Sequence, residues 1–136
     1  MESMELRLAP GLLEQIIQEA SAAAPRESCG LLAGRGVAER FIPMKNVAES
    51  SSEYEMDPAE LIAAFRGLRD SGEELLAIYH SHPHGPAELS RNDIDDLSYP
   101  DAAQLIVSLA NPGRPKCAAF RVIDGQALEI EVHAIV

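Results

Sequence analysis

The feature that most constrains the fold is a continuous apolar run over residues 75–79, which ends in the motif His80-Ser81-His82-Pro83. An apolar run without alternation is typical of a central strand covered on both faces, and Pro83 ends regular strand pairing because it has no backbone donor. Since side chains alternate along a strand, His80 and His82 are predicted to point the same way where the strand meets a loop. On spacing alone, a metal-binding role and a structural role both fit this pair.

The elements around this strand alternate between helix and sheet. A first strand is predicted at residues 6–9, and a helix at 11–23 that follows Pro10 and ends at Pro25. The segments 27–33 and 37–43 read as a hairpin, as do 117–123 and 127–136, which are joined by Asp124-Gly125. Two short elements are also predicted, a helix at 90–98 and a strand at 105–107. This order indicates an α/β (α+β) fold with a mixed central sheet flanked by helices.

Both long helices and the last strand carry a predicted buried face. Asp57, Pro58 and Glu60 mark the start of the second helix as a cap, a first-turn proline and an acidic residue three positions after the cap. The residues predicted to face the core are Leu12, Leu13, Ile16, Ile17 and Ala20 in the first helix, Leu61, Ile62, Phe65 and Leu68 in the second, and Leu128, Ile130, Val132 and Ala134 in the last strand.

Composition narrows the class of protein. The 136 residues fit one domain, 1–136, that can bury a core without disulfide staples. Cys29 and Cys117 lie in apolar stretches and are predicted to be buried thiols, although a single bridge between them also fits the count. With 22 acidic and 11 basic residues, the net charge of −11 disfavours a nucleic-acid partner. The same charge suits either solubility or the steering of a basic partner.

Two further groups carry carboxylates that are candidates for chemistry. Ser90 and Asp93 have the spacing of a helix capping box, which would also hold both side chains in fixed positions. Glu27 precedes an apolar strand, where a partly desolvated carboxylate can serve as a proton acceptor. Taken without the other groups, the sequence around Glu27 favours a surface glutamate at a strand start.

Taken together, these groups match one composite motif. Glu27 and the line His80-Ser81-His82-Pro83 occupy its first positions. Seven residues (83–89) then separate His82 from Ser90, and Asp93 follows three positions later, so every position of the motif is matched. The chain thereby resembles the JAMM (MPN-plus) zinc metalloproteases, of the compact stand-alone prokaryotic type. The segment 25–34, Asn46 and the stretch 56–58 also fit the layout of that family.

The resemblance implies a cytidine-deaminase-like MPN/JAMM domain and a role for each member of the motif. His80, His82 and Asp93 would bind one Zn²⁺ per chain, with water in the fourth position. Glu27 would be the general acid/base, and Ser90 would help to stabilise the tetrahedral oxyanion. Ser81 is expected to pack on the opposite face, His84 to lie on the rim of the site, and His133 to be exposed.

The resemblance also implies a substrate class. The expected reaction is hydrolysis of an amide bond after the Gly-Gly tail of a small β-grasp ubiquitin-like or sulfur-carrier protein, or of its C-terminal adduct. No nucleic-acid or membrane partner is expected, and the protein is expected to be a monomer or a homodimer. The acidic start of the chain, residues 1–7, has no long apolar run, so a cytoplasmic location is expected.

Two alternatives belong to other classes. A non-catalytic binding or scaffold module could share this fold, although an intact five-residue motif argues against it. A thiol peptidase that uses Cys29 with His80 would need a reactive, exposed thiolate, which its apolar neighbours do not favour.

Overall fold

The computed structural model describes residues 4–50 and 52–136, and within these ranges it has seven strands and three helices in the order β1-α1-β2-β3-α2-β4-α3-β5-β6-β7. The strands are β1 (Glu5–Leu8), β2 (Cys29–Arg35), β3 (Val37–Met44), β4 (Glu74–His82), β5 (Ala103–Ser108), β6 (Lys116–Ile123) and β7 (Gln126–Ala134). The helices are α1 (Leu12–Ala23), α2 (Pro58–Ser71) and α3 (Arg91–Asp95). The predicted mixed sheet flanked by helices is confirmed, and α3 is shorter than the predicted segment 90–98.

The strands form one sheet in the order β1-β3-β2-β4-β5-β6-β7, and a parallel pairing of β7 with β1 closes it into a barrel. Strand β4 pairs antiparallel with β2 and parallel with β5. The register places His80 opposite Cys29 on one side and Ile106 on the other. The start of β2, with Glu27 just before it, therefore lies beside the end of β4.

Neighbouring residues of β4 face different helices. In β4, Tyr79 belongs to the core cluster that contains α1, whereas Ile78 belongs to the cluster beside α2. Because His80 and His82 follow Ile78 at intervals of two, they share the α2 face of the sheet.

The α1 face is a closed apolar core. Leu12, Ile16 and Ala20 of α1 are buried, and Leu13 and Ile17 pack against the same cluster. All five were predicted to face the core, and the prediction is confirmed.

The α2 face is packed more loosely. Asp57 caps α2 by accepting a hydrogen bond from the Ala59 amide at 3.2 Å, with Pro58 in the first turn, as predicted. Glu60 instead accepts a hydrogen bond from the Lys45 amide at 2.7 Å, so its carboxylate anchors a neighbouring segment. The prediction that Ile62 is buried is wrong: this residue is 57% exposed, because α2 turns Leu61, Ala64, Phe65 and Leu68 toward its neighbours and leaves Ile62 facing outward.

The C-terminal hairpin is confirmed, although its core face is smaller than predicted. Asp124 and Gly125 both have positive φ, as a two-residue hairpin turn requires. Of the predicted face, Ile130 is buried, whereas Leu128, which lies near the turn, is 45% exposed. Val132 is half-buried and packs on the α1 cluster, and Ala134 is exposed.

Both cysteines are free thiols, Cys29 buried and Cys117 half-buried. Among the residues that the structure describes, no helix is both long and apolar enough to cross a membrane.

Candidate metal centre and adjoining groove

The end of β4 brings two imidazoles together. The Nε2 atoms of His80 and His82 lie 3.1 Å apart. The side chain of His80 is fully buried, and that of His82 is 12% exposed at the mouth of the site. Burial lowers the pKa of His80, which keeps its imidazole neutral and able to act as a ligand.

Asp93 completes a triangle with these nitrogens. Its Oδ2 atom lies 3.3 Å from His80 Nε2 and 3.2 Å from His82 Nε2. Burial alone would raise the pKa of Asp93, but hydrogen bonding to the two histidines outweighs it and holds the pKa well below the usual range. The carboxylate is therefore an anion that faces two ring nitrogens.

The predicted capping box fixes Asp93 at the start of α3. The Ser90 amide donates to Asp93 Oδ2 at 2.9 Å, and the Asp93 amide donates to Ser90 Oγ at 3.1 Å. Because the Ser90 oxygen accepts that bond, its hydroxyl proton remains available to donate elsewhere.

The hydrogen bonds of His82 show that the triangle suits a cation. His82 Nδ1 lies 2.8 Å from the Pro86 carbonyl, which can only accept, so Nδ1 carries the ring proton in a neutral imidazole. Nε2 then either carries a second proton that it donates to Asp93, or presents a lone pair, and a lone pair beside this carboxylate is stable only when a cation lies between them. Ligands about 2.0–2.1 Å from a tetrahedral zinc are separated by about 3.3–3.4 Å, close to the observed 3.1–3.3 Å. The donor set thus fits zinc in chemistry and spacing.

Glu27 is the second carboxylate near the imidazoles. Its ligand atom and those of His80 and His82 all lie within 4.8 Å of one another, so Glu27 and Asp93 both compete for the third ligand position. Of the two carboxylates, Asp93 has an oxygen that already lies at ligand spacing from both nitrogens.

The structure holds Glu27 in place through its backbone. Ser28 and Ser81 are joined by two hydrogen bonds, from the Ser28 amide to Ser81 Oγ at 2.7 Å and from the Ser81 amide to the Ser28 carbonyl at 2.9 Å. The side chain of Asn46 donates to the Glu27 carbonyl at 2.9 Å. Glu27 is only 7% exposed, and burial raises its pKa to about 7. Ser81 therefore does more than pack, since its hydroxyl ties β4 to the residue after Glu27.

The other two histidines lie outside this cluster. His84 is exposed in the loop after Pro83, and His133 is exposed on β7. Neither takes part in the group of metal-binding side chains found among the described residues.

Sequence reasoning assigned no role to two residues of the segment 45–56 that border the site. Asn46 makes four hydrogen bonds that organise the segment, and Tyr54 stacks on His80 with ring centroids 4.5 Å apart. The signal was an aromatic side chain inside an otherwise polar stretch of serines and glutamates.

A groove of about 790 Å³ opens beside the triangle of His80, His82 and Asp93. Asp93 forms part of its lining, so the groove borders the candidate metal centre. Its walls come from residues 47–50 and 52–56, from α2 and from the residues after α3. They carry the acidic side chains Glu49, Glu53, Glu55 and Asp96.

Cys29 is unsuited to nucleophilic catalysis. Its thiol is buried and lies 3.6 Å from the Met44 carbonyl, to which it donates. Burial raises the pKa of this thiol to about 12, so it stays protonated at neutral pH.

Comparison with known proteins identifies relatives over most of the chain. Residues 9–122 match the family described as prokaryotic homologs of the JAB domain. The chain is 34% identical over 127 residues to the CysO-cysteine peptidase of Mycobacterium tuberculosis, covering 91% of this chain and 87% of that protein. It is 47% identical over 90 residues to a probable TtuB-protein conjugate cleaving protease of Thermus thermophilus, covering 65% of this chain and 61% of that protein.

Solved structures show the same fold. A protein of Desulfitobacterium hafniense superposes with a TM-score of 0.87 at 34% identity, covering 96% of this chain and 92% of that one. A JAB1/MPN domain protein of Archaeoglobus fulgidus superposes with a TM-score of 0.64 at 20% identity, covering 96% of this chain and all of that one, which shows a shared fold.

Proposed function

Because this chain belongs to the family of prokaryotic homologs of the JAB domain, we propose that it is a zinc-dependent peptidase or isopeptidase that cleaves conjugates of a small ubiquitin-like or sulfur-carrier protein. The observation that carries this proposal is the convergence of two imidazole nitrogens and a carboxylate oxygen within 3.1–3.3 Å of one another, beside a second buried carboxylate. This donor set is typical of a catalytic zinc with one open position.

His80, His82 and Asp93 would hold the zinc. When bound, the metal supplies Lewis acidity, which polarises the scissile carbonyl and lowers the pKa of a coordinated water toward about 7. The Pro86 carbonyl orients the His82 ring through Nδ1, which leaves Nε2 free for the metal.

Glu27 moves the proton. Its carboxylate accepts a proton from the attacking water as the new C–O bond forms, and returns it to the leaving amine as the C–N bond breaks. A pKa raised to about 7 by burial suits both directions of transfer near neutral pH. Asn46 donates to the Glu27 carbonyl, and the Ser28 amide donates to Ser81 Oγ. These two bonds hold the backbone from which the Glu27 carboxylate projects.

Ser90 stabilises the developing oxyanion. Its oxygen accepts from the Asp93 amide, so the hydroxyl proton is left to donate to the substrate. A donor of this kind accelerates the reaction because its bond strengthens as charge develops on the carbonyl oxygen.

The groove would receive the C-terminal tail of the carrier protein. An extended Gly-Gly tail suits a narrow approach to a buried centre, because glycine lets the backbone come close. The acidic lining of the groove would favour basic side chains on the bound partner.

The arrangement disfavours both alternatives. A scaffold module would have no use for a buried Glu27 and His80, since burying ionisable groups costs stability. A thiol peptidase would need a thiolate, and Cys29 is buried and protonated.

The test combines metal analysis with a cleavage assay. The purified protein is expected to hold about one zinc per chain and to cleave a β-grasp protein fused through a Gly-Gly junction, and a chelator should abolish cleavage. Binding of zinc without cleavage of any such fusion would overturn the substrate assignment. Absence of metal above background would overturn the zinc mechanism, and cleavage that resists chelators but is lost in Cys29→Ala would establish a thiol peptidase.

A further inference from the structure

The two histidines of the candidate metal centre are anchored in different ways. His82 has its second ring nitrogen hydrogen-bonded to the Pro86 carbonyl, the usual arrangement for a metal-binding histidine. His80 has no such bond: among the residues that the structure describes, its Nδ1 is buried without a hydrogen-bond partner. A hydrogen bond at Nδ1 therefore does not fix the plane of the His80 ring, as it does for His82.

Tyr54 contacts the His80 ring, which has no hydrogen bond at Nδ1 to hold it. Its ring stacks on that of His80 with centroids 4.5 Å apart and planes 23° from parallel. Such a contact covers one face of the imidazole and opposes rotation about the bond that would swing Nε2 away from Asp93. The contact is between the two rings, so a side chain that keeps the ring should keep the contact.

Tyr54 can restrain a neighbour because its own position is fixed on both sides. The Asn46 side chain donates to the Glu53 carbonyl at 3.2 Å and accepts from the Glu55 amide at 3.0 Å. The Val47 amide donates to the Glu55 carbonyl at 2.8 Å. The residues that flank Tyr54 are thus tied to the segment that follows β3, and through Asn46 to Glu27.

We propose that Tyr54 is a positioning residue that fixes the ring of His80, and with it the Nε2 atom that would bind zinc. The proposal rests on the zinc site of the proposed function and adds a residue that lies outside the five-residue motif. It assigns to the segment 45–56 a direct part in forming the metal centre, in addition to lining the groove.

The test measures zinc affinity by competition with a chromophoric chelator in wild type, Tyr54→Phe and Tyr54→Leu. Loss of an outer partner of a metal-binding histidine typically weakens metal binding by about 10–100-fold. We expect Tyr54→Leu to bind zinc about 10-fold more weakly, and Tyr54→Phe, which keeps the ring, to match wild type within about two-fold.

Tyr99→Leu is the matched control. Tyr99 lines the same groove, but its ring contacts Phe65 at 5.3 Å and not His80. Its loss should therefore leave zinc affinity at the wild-type value. Circular dichroism and thermal melting of the metal-free variants establish that each is folded, and if Tyr54→Leu does not fold, Tyr54→Met takes its place with the same expected loss.

The outcomes separate this inference from the function on which it rests. Wild type that binds no zinc would overturn the proposed function. Zinc bound equally well by wild type and by a folded Tyr54→Leu or Tyr54→Met would overturn the role of Tyr54 alone. Equal loss in Tyr54→Phe and Tyr54→Leu, or an equal loss in Tyr99→Leu, would also overturn it, because the effect would not come from the stacked ring.

Discussion

The two faces of the sheet differ in how completely their helices cover them. On the α1 face, Ile16 and Ala20 are fully buried and Leu12 nearly so. On the α2 face, Leu68 is the one residue of that helix that is buried, and Ile62 is 57% exposed. The open face is the one that carries the imidazoles, so the chain leaves its packing incomplete where a substrate must enter.

The two faces also differ in what they bury. The α1 face buries apolar side chains, which stabilise the fold. Beside α2, the structure buries Glu27 and His80, and burying these ionisable groups lowers the stability of the fold. A role in function explains why a chain keeps such groups. The comparison implies that substitutions on the α1 face should change stability without changing chemistry, and that substitutions at the site should do the reverse.

The largest effect is expected for Glu27→Gln. Removing the proton acceptor should lower kcat/KM for the Gly-Gly fusion about 10³-fold, equivalent to about 4 kcal/mol. The zinc content should stay at the wild-type level, and the free energy of unfolding should not fall, because a neutral amide replaces a buried carboxylate. Steady-state kinetics, metal analysis and urea unfolding measure the three quantities.

Glu19→Gln is the matched control for that substitution. Glu19 is exposed on α1, so the same change of charge there should leave kcat/KM unaffected. Cleavage by Glu27→Gln at the wild-type rate would show that Glu27 is not the proton acceptor, and that substitutions on the α2 face do not act on chemistry as expected.

The opposite pattern is expected for Ile16→Ala on the α1 face. Deleting these buried atoms should lower the free energy of unfolding by about 3 kcal/mol, since the closed core cannot collapse around the cavity. The zinc content and kcat of the folded fraction should not change. A variant as stable as wild type, or one that loses zinc while folded, would show that the faces are not independent.

Asn46→Ala should show a mixed pattern, because Asn46 joins the site to the segment beside it. Four hydrogen bonds are lost, and the unfolding free energy should fall by about 2 kcal/mol. Activity should fall as well, since Glu27 and Tyr54 both lose an anchor.

Asn46→Asp separates these effects. It keeps the oxygen that accepts from Ala48 and Glu55 but loses the donations to the carbonyls of Glu27 and Glu53. We expect Asn46→Asp to lose less stability than Asn46→Ala. Its activity should fall almost as far as that of Asn46→Ala. Unchanged activity in both variants would show that the Glu27 carboxylate needs no anchor from this segment.

The α1 face could be predicted from sequence, because its pattern is local. The stripe that contains Ile16 repeats at helical spacing, and a helix with such a stripe must bury it. The capping box of Ser90 and Asp93 and the same-side placement of His80 and His82 were also readable, since each depends on residues close together in the chain.

What the sequence did not reveal depends on distant partners. The closure of the sheet by pairing β1 with β7 joins opposite ends of the chain, and no local pattern encodes that register. Ile62 lies on an apolar stripe, yet its burial depends on whether another element covers it. The roles of Asn46 and Tyr54 arise from contacts with Glu27 and His80, across 19 residues in the case of Asn46.

The smallest effect is expected for Ile62→Ala, which makes the same deletion as Ile16→Ala on the open face. Because most of this side chain is already in water, the unfolding free energy should change by less than about 0.5 kcal/mol. Urea unfolding at two protein concentrations is the appropriate measurement, since it also reports self-association. A loss that approaches that of Ile16→Ala, and that grows with protein concentration, would mean that a second copy covers the α2 face in solution. In that case, the incomplete packing of α2 would reflect a homodimer interface, and its link to substrate entry would fail.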